Sequence, residues 1–233
     1  MMIDLNLGHT AKILAACAQH GLTTRQTAYM LATALWETNR TMQPVVEAYW
    51  LSEAWRAKNL RYYPWHGRGF VQLTWESNYR RASAALGVDL IANPDLALDP
   101  DIAAQILVIG SKEGWFTGRR LADYINGNAT DYIGARQIIN GTDQAATIAA
   151  LALSYEAALT PAPDYPCVRR GSIGASVTAL QRALASHGYP VVAPDGVFGN
   201  MTETAVRQFQ GDNGLTADGI AGPKTWAALS TGL

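Results

Sequence analysis

The apolar positions of this chain fall into two helical stretches separated by a proline-rich break. In Thr10–Gln19, Thr24–Glu37, Tyr79–Leu86, Asp101–Glu113 and the alanine-rich Ala145–Leu159 they recur three or four residues apart, which predicts helices that each turn one face to a core. The pattern stops at Leu159-Thr160-Pro161-Ala162-Pro163-Asp164-Tyr165-Pro166. Proline fixes φ and removes a backbone donor, so three of them in six positions end a helix and favour an extended connector. The expected division is a first domain over 1–160, a linker over 161–166 and a second domain over 167–233.

In the second stretch Val177, Leu180 and Leu184 form one helical face ending at Gly188, and Ala205, Val206 and Phe209 form another ending near Gly214. An octapeptide recurs around them: Asp195-Gly-Val-Phe-Gly199-Asn-Met-Thr202 and Asp218-Gly-Ile-Ala-Gly222-Pro-Lys-Thr225. Asp-Gly predicts a tight turn, the second glycine an unusual φ, and the threonine the cap or opening of the next helix. An EF-hand needs acidic or amide ligands at alternate positions, which these loops lack. Period two appears once, after His66-Gly67-Arg68-Gly69. There the alternation predicts a short strand with Phe70, Gln72 and Thr74 on one side and Val71, Leu73 and Trp75 on the other, offering Gln72 and Thr74 to sugar or water.

Composition narrows the function classes. Hydrophobic residues make up 48% of the chain and charged residues 16%, enough for a sizeable core and against disorder. Eighteen basic and nineteen acidic residues leave a formal charge of −1, no field for nucleic acid or an anionic membrane surface. A neutral or weakly charged polymer such as a polysaccharide suits this balance better. Cys17 and Cys167 form no C-x-x-C pair and read as free thiols of a reducing cytoplasm. The N-terminus carries an acid where a signal peptide needs positive charge, and no apolar run is long enough to span a membrane. An extracytoplasmic target therefore demands a route that the sequence does not encode. His9, His20, His66 and His187 make no H-x-x-x-H pair, so no metal is expected. Cys17 sits among Leu14, Ala15, Ala16 and Ala18, which favours an inert buried thiol over a nucleophile served by His66.

Carboxylates remain, and glycoside hydrolysis needs two: one protonated acid and one ionised base. Glu37 is the only acid of an apolar helix and lies in its last turn beside Trp36, where the helix dipole and apolar neighbours both disfavour its charge. Glu47 follows ten residues on, far enough for a loop to set the two across a cleft, and Glu53 six after that. From Tyr49 to Tyr79 nine aromatics occur in 31 residues, against 21 in the whole chain. Aromatic faces pack on the C–H faces of sugars, so the enrichment suits a glycan groove with Tyr49 as a candidate contact, while Trp55 and Trp75 are expected in the core.

Two resemblances attach to these motifs. Residues 167 to 230, with Leu180-Gln181-Arg182-Ala183-Leu184, the two Asp-Gly loops and Ala205-Val206-Arg207-Gln208-Phe209-Gln210, resemble the three-helix peptidoglycan-binding domain of wall hydrolases. Residues 20 to 158 resemble glycoside hydrolase family 19, the chitinases and related phage endolysins with a lysozyme-like fold. That likeness rests on Glu37-Thr38, Glu47, Gly67-Arg68-Gly69-Phe70-Val71-Gln72-Leu73-Thr74, Asn78-Tyr79 and Ile138-Ile139-Asn140-Gly141. It differs where the family often has glycines and this chain has Asn39-Arg40-Thr41. The resemblance implies a mainly α, lysozyme-like α-rich (α+β) catalytic domain with a small three-helix second domain. It further implies an inverting mechanism without cofactor: Glu37 as general acid, Glu47 as general base with Glu53 the competing choice, and Thr74 positioning water. Gln72, Asn78 and Asn140 would contact sugar, while Arg68 is either a substrate contact or one half of a structural ion pair. The expected state is a monomer, and the implied partner is bacterial peptidoglycan, reached after holin-assisted release. A chitinase and a non-catalytic wall-binding protein are the alternatives.

Overall fold

The computed structural model describes residues 3–160, 166–190 and 193–230, so all but Pro166 of the expected linker lies outside the described residues. The chain divides into two compact units, Met1–Thr160 and Pro161–Leu233. Both are mainly helical, the fold class expected from the sequence.

In the first unit, α1 (Thr10–Gln19), α2 (Thr24–Glu37), α3 (Glu53–Asn59), α4 (Glu76–Leu86), α5 (Pro100–Glu113), α6 (Leu121–Tyr124) and α7 (Ala145–Leu159) surround one core. α2 is its axis: every residue from Thr27 to Leu35 is buried, as befits a helix apolar all round. It packs most extensively on α7, whose Ala145, Ala149 and Ala152 let the two backbones approach, while α1 packs on α5. Thr23 and Gln26 close a capping box at the start of α2. At its other end the buried Thr38 hydroxyl donates to Ala34 O at 2.7 Å and accepts from Met42 N–H at 3.0 Å. The chain then turns through Asn39, Arg40 and Met42, all with positive φ (48°, 65° and 52°). This is the backbone glycine favours, adopted here by residues that carry a side chain.

The only sheet among the described residues is small: β1 (Val45–Val46) runs antiparallel to β2 (Arg68–Gly69), with Val45 opposite Gly69 and Val46 opposite Arg68. The strand expected through Thr74 does not form. After Gly69 the chain turns back, and Leu73 N–H donates to Arg68 O at 2.8 Å while Arg68 N–H donates to Leu73 O at 3.2 Å. Gln72 sits in this loop at φ 56°. Alternation fails because a turn does not obey period two, and Phe70, Val71 and Leu73 all enter the core. Trp55 and Trp75 are also corrected. They are 40% and 44% exposed, and Trp75 is held at the surface by the Tyr62 ring and by the Arg61 guanidinium, 4.9 Å from its ring centre.

In the second unit, α8 (Ala175–Ser186), α9 (Asn200–Asp212) and α10 (Pro223–Ser230) enclose Leu180, Leu184, Phe198, Val206, Phe209 and Trp226. Each octapeptide is fastened by one buried glutamine. Gln181 Nε2 donates to Asp195 Oδ1, Val197 O and Thr202 Oγ1 at 2.9, 3.1 and 3.1 Å, and its Oε1 accepts from Gly196 N–H at 2.9 Å. Gln210 repeats the set on Asp218, Ile220 and Thr225 at 2.8, 3.0 and 3.1 Å, with Gly219 N–H at 2.9 Å. Thr202 and Thr225 therefore do not cap their helices. They lie inside the first turn and accept from the glutamine.

Candidate active site

The end of α2 and the β1–β2 pair bring two acids to one cleft. Glu37, the last residue of α2, is four-fifths buried, and its Oε1 accepts from Arg136 Nη1 at 2.5 Å. Arg136 is buried in the 3-10 helix Gly134–Ile138, and its Nε donates to Asp143 O at 3.0 Å. Sequence reasoning, built on the apolar helix and its dipole, contained no such cation.

Glu47 follows β1 directly and is held from both sides. Its N–H donates to Gly67 O at 2.7 Å, Gly67 N–H returns a bond to Oε2 at 2.9 Å, and the Tyr62 hydroxyl donates to Oε1 at 2.6 Å. That bond pushes the Tyr62 hydroxyl up to about 12, so it keeps its proton and remains a donor at neutral pH. A Cβ on Gly67 would stand 2.7 Å from Gln72 Oε1 and 3.2 Å from Glu47 Oε2, so glycine is what lets these groups meet.

Glu37 and Glu47 line one cleft of about 320 Å³, together with Asn39, Tyr49, Trp50 and Gln72. Tyr49 and Trp50 are 58% and 71% exposed and pack edge to face at 5.2 Å. Gln72 is fixed by bonds from its Nε2 to Val45 O and Gly69 O at 3.0 and 3.4 Å. A larger hollow of about 590 Å³ beside the end of α4 has, among the described residues, only Arg80 and Asp89 as charged groups, and Arg80 is already paired with Glu76. The smaller cleft is the one that brings two acids together.

The other candidates stand elsewhere. Arg68 is buried and donates to Asp95, to Pro64 O and His66 O and to the Tyr79 hydroxyl, which supports its structural reading. The Thr74 hydroxyl donates to Gln72 O at 2.7 Å, Asn78 Nδ2 donates to Thr74 O at 2.9 Å, and Asn140 Oδ1 accepts from Gly141 N–H at 2.9 Å. None of these three lines the cleft. Glu53 also lies outside it, and Arg56, at 2.6 and 2.9 Å, holds its carboxyl below the usual range. Burial pushes the Cys17 thiol up to about 12, leaving it protonated and unreactive. His66 is fully buried with no hydrogen-bond partner for either ring nitrogen among the described residues, and burial together with the Arg68 charge lowers its pKa. Sequence reasoning missed three groups. Trp50 and Tyr62 fall within the aromatic-rich run, a signal that was present, whereas nothing local distinguishes Arg136 among the arginines.

The family described as chitinase class I, glycoside hydrolase family 19, matches residues 23–116, and the peptidoglycan binding domain matches residues 173–229. Chitinase 8 of Oryza sativa subsp. japonica is 61% identical over 33 residues, 14% of this chain and 13% of its own length. The zinc D-Ala-D-Ala carboxypeptidase of Streptomyces albus G is 50% identical over 60 residues, 24% of this chain and 23% of its own. The crystal structure of the Burkholderia AP3 phage endolysin is 48% identical over 29% of this chain and 26% of that one, with a TM-score of 0.27. The chain thus spans less than a quarter of the length of these curated relatives. The first match encloses Glu37, Glu47 and Gln72 and the second encloses both glutamine-held loops, so one chain carries a match to glycoside hydrolase family 19 ahead of a match to a peptidoglycan-binding domain.

Proposed function

We propose that this protein is an endolysin-type glycosidase that hydrolyses the β-1,4-linked glycan of bacterial peptidoglycan while its second unit holds the wall. The observation that carries the reading is the single cleft lined by Glu37 and Glu47 and edged by Tyr49 and Trp50. Glu37 gives its proton to the leaving oxygen as the glycosidic C–O bond breaks. Arg136 then faces the carboxylate that remains. Glu47 takes a proton from a water whose oxygen bonds to the anomeric carbon from the opposite side, and exchange with solvent resets both acids. Tyr62 and Gly67 fix the direction in which Glu47 receives that proton. Gln72 and the two exposed rings are assigned to sugar, and Thr74 acts through the Gln72 carbonyl. A glycan longer than the cleft reaches Asn78 and Asn140 outside it.

The second unit favours peptidoglycan over chitin as the polymer, since the peptidoglycan-binding domain is what accompanies the family 19 domain here. Action as a monomer and passage to the wall with a holin complete the reading. Mass spectrometry of fragments released from purified peptidoglycan tests it. New reducing sugar ends are expected, and newly freed peptide amines in their place would overturn the glycosidase assignment.

A further inference from the structure

The two loops of the second unit share one frame and differ in what they present outward. In both, the inward acceptors are saturated in the same way: Asp195 Oδ1 accepts from Gln181 and Val197 N–H, and Asp218 Oδ1 from Gln210 and Ile220 N–H. Those contacts build the loop and leave recognition to the positions that vary. At the sixth and seventh positions of the octapeptide the first loop has Asn200 and Met201, the second Pro223 and Lys224.

The cavities differ accordingly. The first loop borders a space of about 260 Å³ with Met201 on its rim, whereas the second borders about 590 Å³ lined by Lys224, Leu215, Thr216, Ile220, Pro223 and Asp218, whose Oδ1 is already taken by Gln210 and Ile220 N–H. Lys224 is exposed, and it takes part in neither of this unit's ion pairs among the described residues, Arg170–Glu203 and Arg207–Glu203. It is also the second residue of α10, where the helix dipole disfavours a cation; α9 has the acidic Glu203 in its first turn instead. The helix start therefore does not stabilise this lysine, which borders the larger cavity.

We propose that the Lys224 cavity is the seat where this unit grips the wall, and that it takes a free carboxylate from the peptide part of peptidoglycan. Leu215, Ile220 and Pro223 provide apolar walls for small side chains of the same peptide, and the Met201 loop supports the fold without holding ligand. The proposal rests on the reading of this unit as wall-binding. It is tested by sedimenting the full chain, on ice, with purified peptidoglycan free of phosphate polymers, before and after the wall carboxylates are converted to amides. Lys224→Met should weaken binding roughly fivefold, the scale of one exposed ion pair, and Lys224→Arg should retain it. Amidation should weaken the unaltered chain by the same factor and leave Lys224→Met where it was. Equal binding by Lys224→Met and the unaltered chain would overturn the proposal, as would amidation that weakens both alike or binding that requires phosphate polymers. Failure of the unaltered chain to sediment with any wall would instead remove the wall-binding reading beneath it.

Discussion

Glu37 and Glu47 reach the cleft with different partners, a buried guanidinium for the first and a phenol with a backbone N–H for the second. Glu37→Gln keeps the shape and cannot deliver a proton, so kcat should fall by about 10²–10⁴ with wall binding unchanged; Glu47→Gln should cost similarly. Glu53→Gln is the control, since its carboxylate is occupied by Arg56 outside the cleft, and turnover that survives Glu47→Gln but not Glu53→Gln would move the base. Tyr62→Phe removes the donor to Glu47 Oε1 and should lower kcat about tenfold with little change in KM, the pattern of a positioning group. His66 predicts a pH effect on stability. Its pKa is lowered in the fold, so between the unfolded value of about 6.5 and the folded value the unfolded chain binds more protons. The contribution is complete above about pH 6.5 and is lost as pH falls through that window. His66→Phe keeps a ring against Tyr63 and should flatten the dependence of Tm on pH below about 6.5.

At the scale of elements, two buried side chains do the work of caps. Thr38 closes α2 with two hydrogen bonds and thereby sets the direction of its neighbour Glu37. Thr38→Val leaves Met42 N–H without that acceptor in a buried place, at a cost of about 1–3 kcal/mol readable by denaturant unfolding, and activity should fall with it. Gln210 ties Asp218, Gly219, Ile220 and Thr225 together, so Gln210→Leu should destabilise the second unit and leave the intrinsic turnover of the first unit on a soluble glycan unchanged. Calorimetry showing an unshifted transition for the second unit would contradict that role.

For the whole molecule, the proposed division of labour predicts that residues 1–160 alone cleave soluble glycan fragments as the full chain does but act more slowly on intact walls. Tethering raises local concentration without altering the chemistry. Residues 167–233 alone should sediment with peptidoglycan, and equal wall binding by both fragments would count against the division. Chelators should leave activity intact, and loss with EDTA that zinc restores would point to a metal-dependent hydrolase instead.

The sequence by itself determined the longer helices, because burial of one face repeats every few residues and is written locally. Thr10–Gln19, Thr24–Glu37 and Ala145–Leu159 have the bounds that periodicity predicts, and the two octapeptides show as repeats before any glutamine is seen to fasten them. Glu37 and Glu47 also stood out locally: one is the only acid of an apolar helix, and the other precedes an aromatic-rich run. Tertiary structure alone decided what surrounds them. Arg136 lies 99 residues beyond Glu37 and meets it only because the 3-10 helix Gly134–Ile138 brings it there. The turn after Gly69 breaks an alternation that looked like a strand, and Trp55 and Trp75 stay at the surface although their composition suits a core. Hydrophobic burial is non-directional and leaves a periodic trace along the chain, whereas an ion pair or a cleft wall depends on which distant loops meet, and no local period records that.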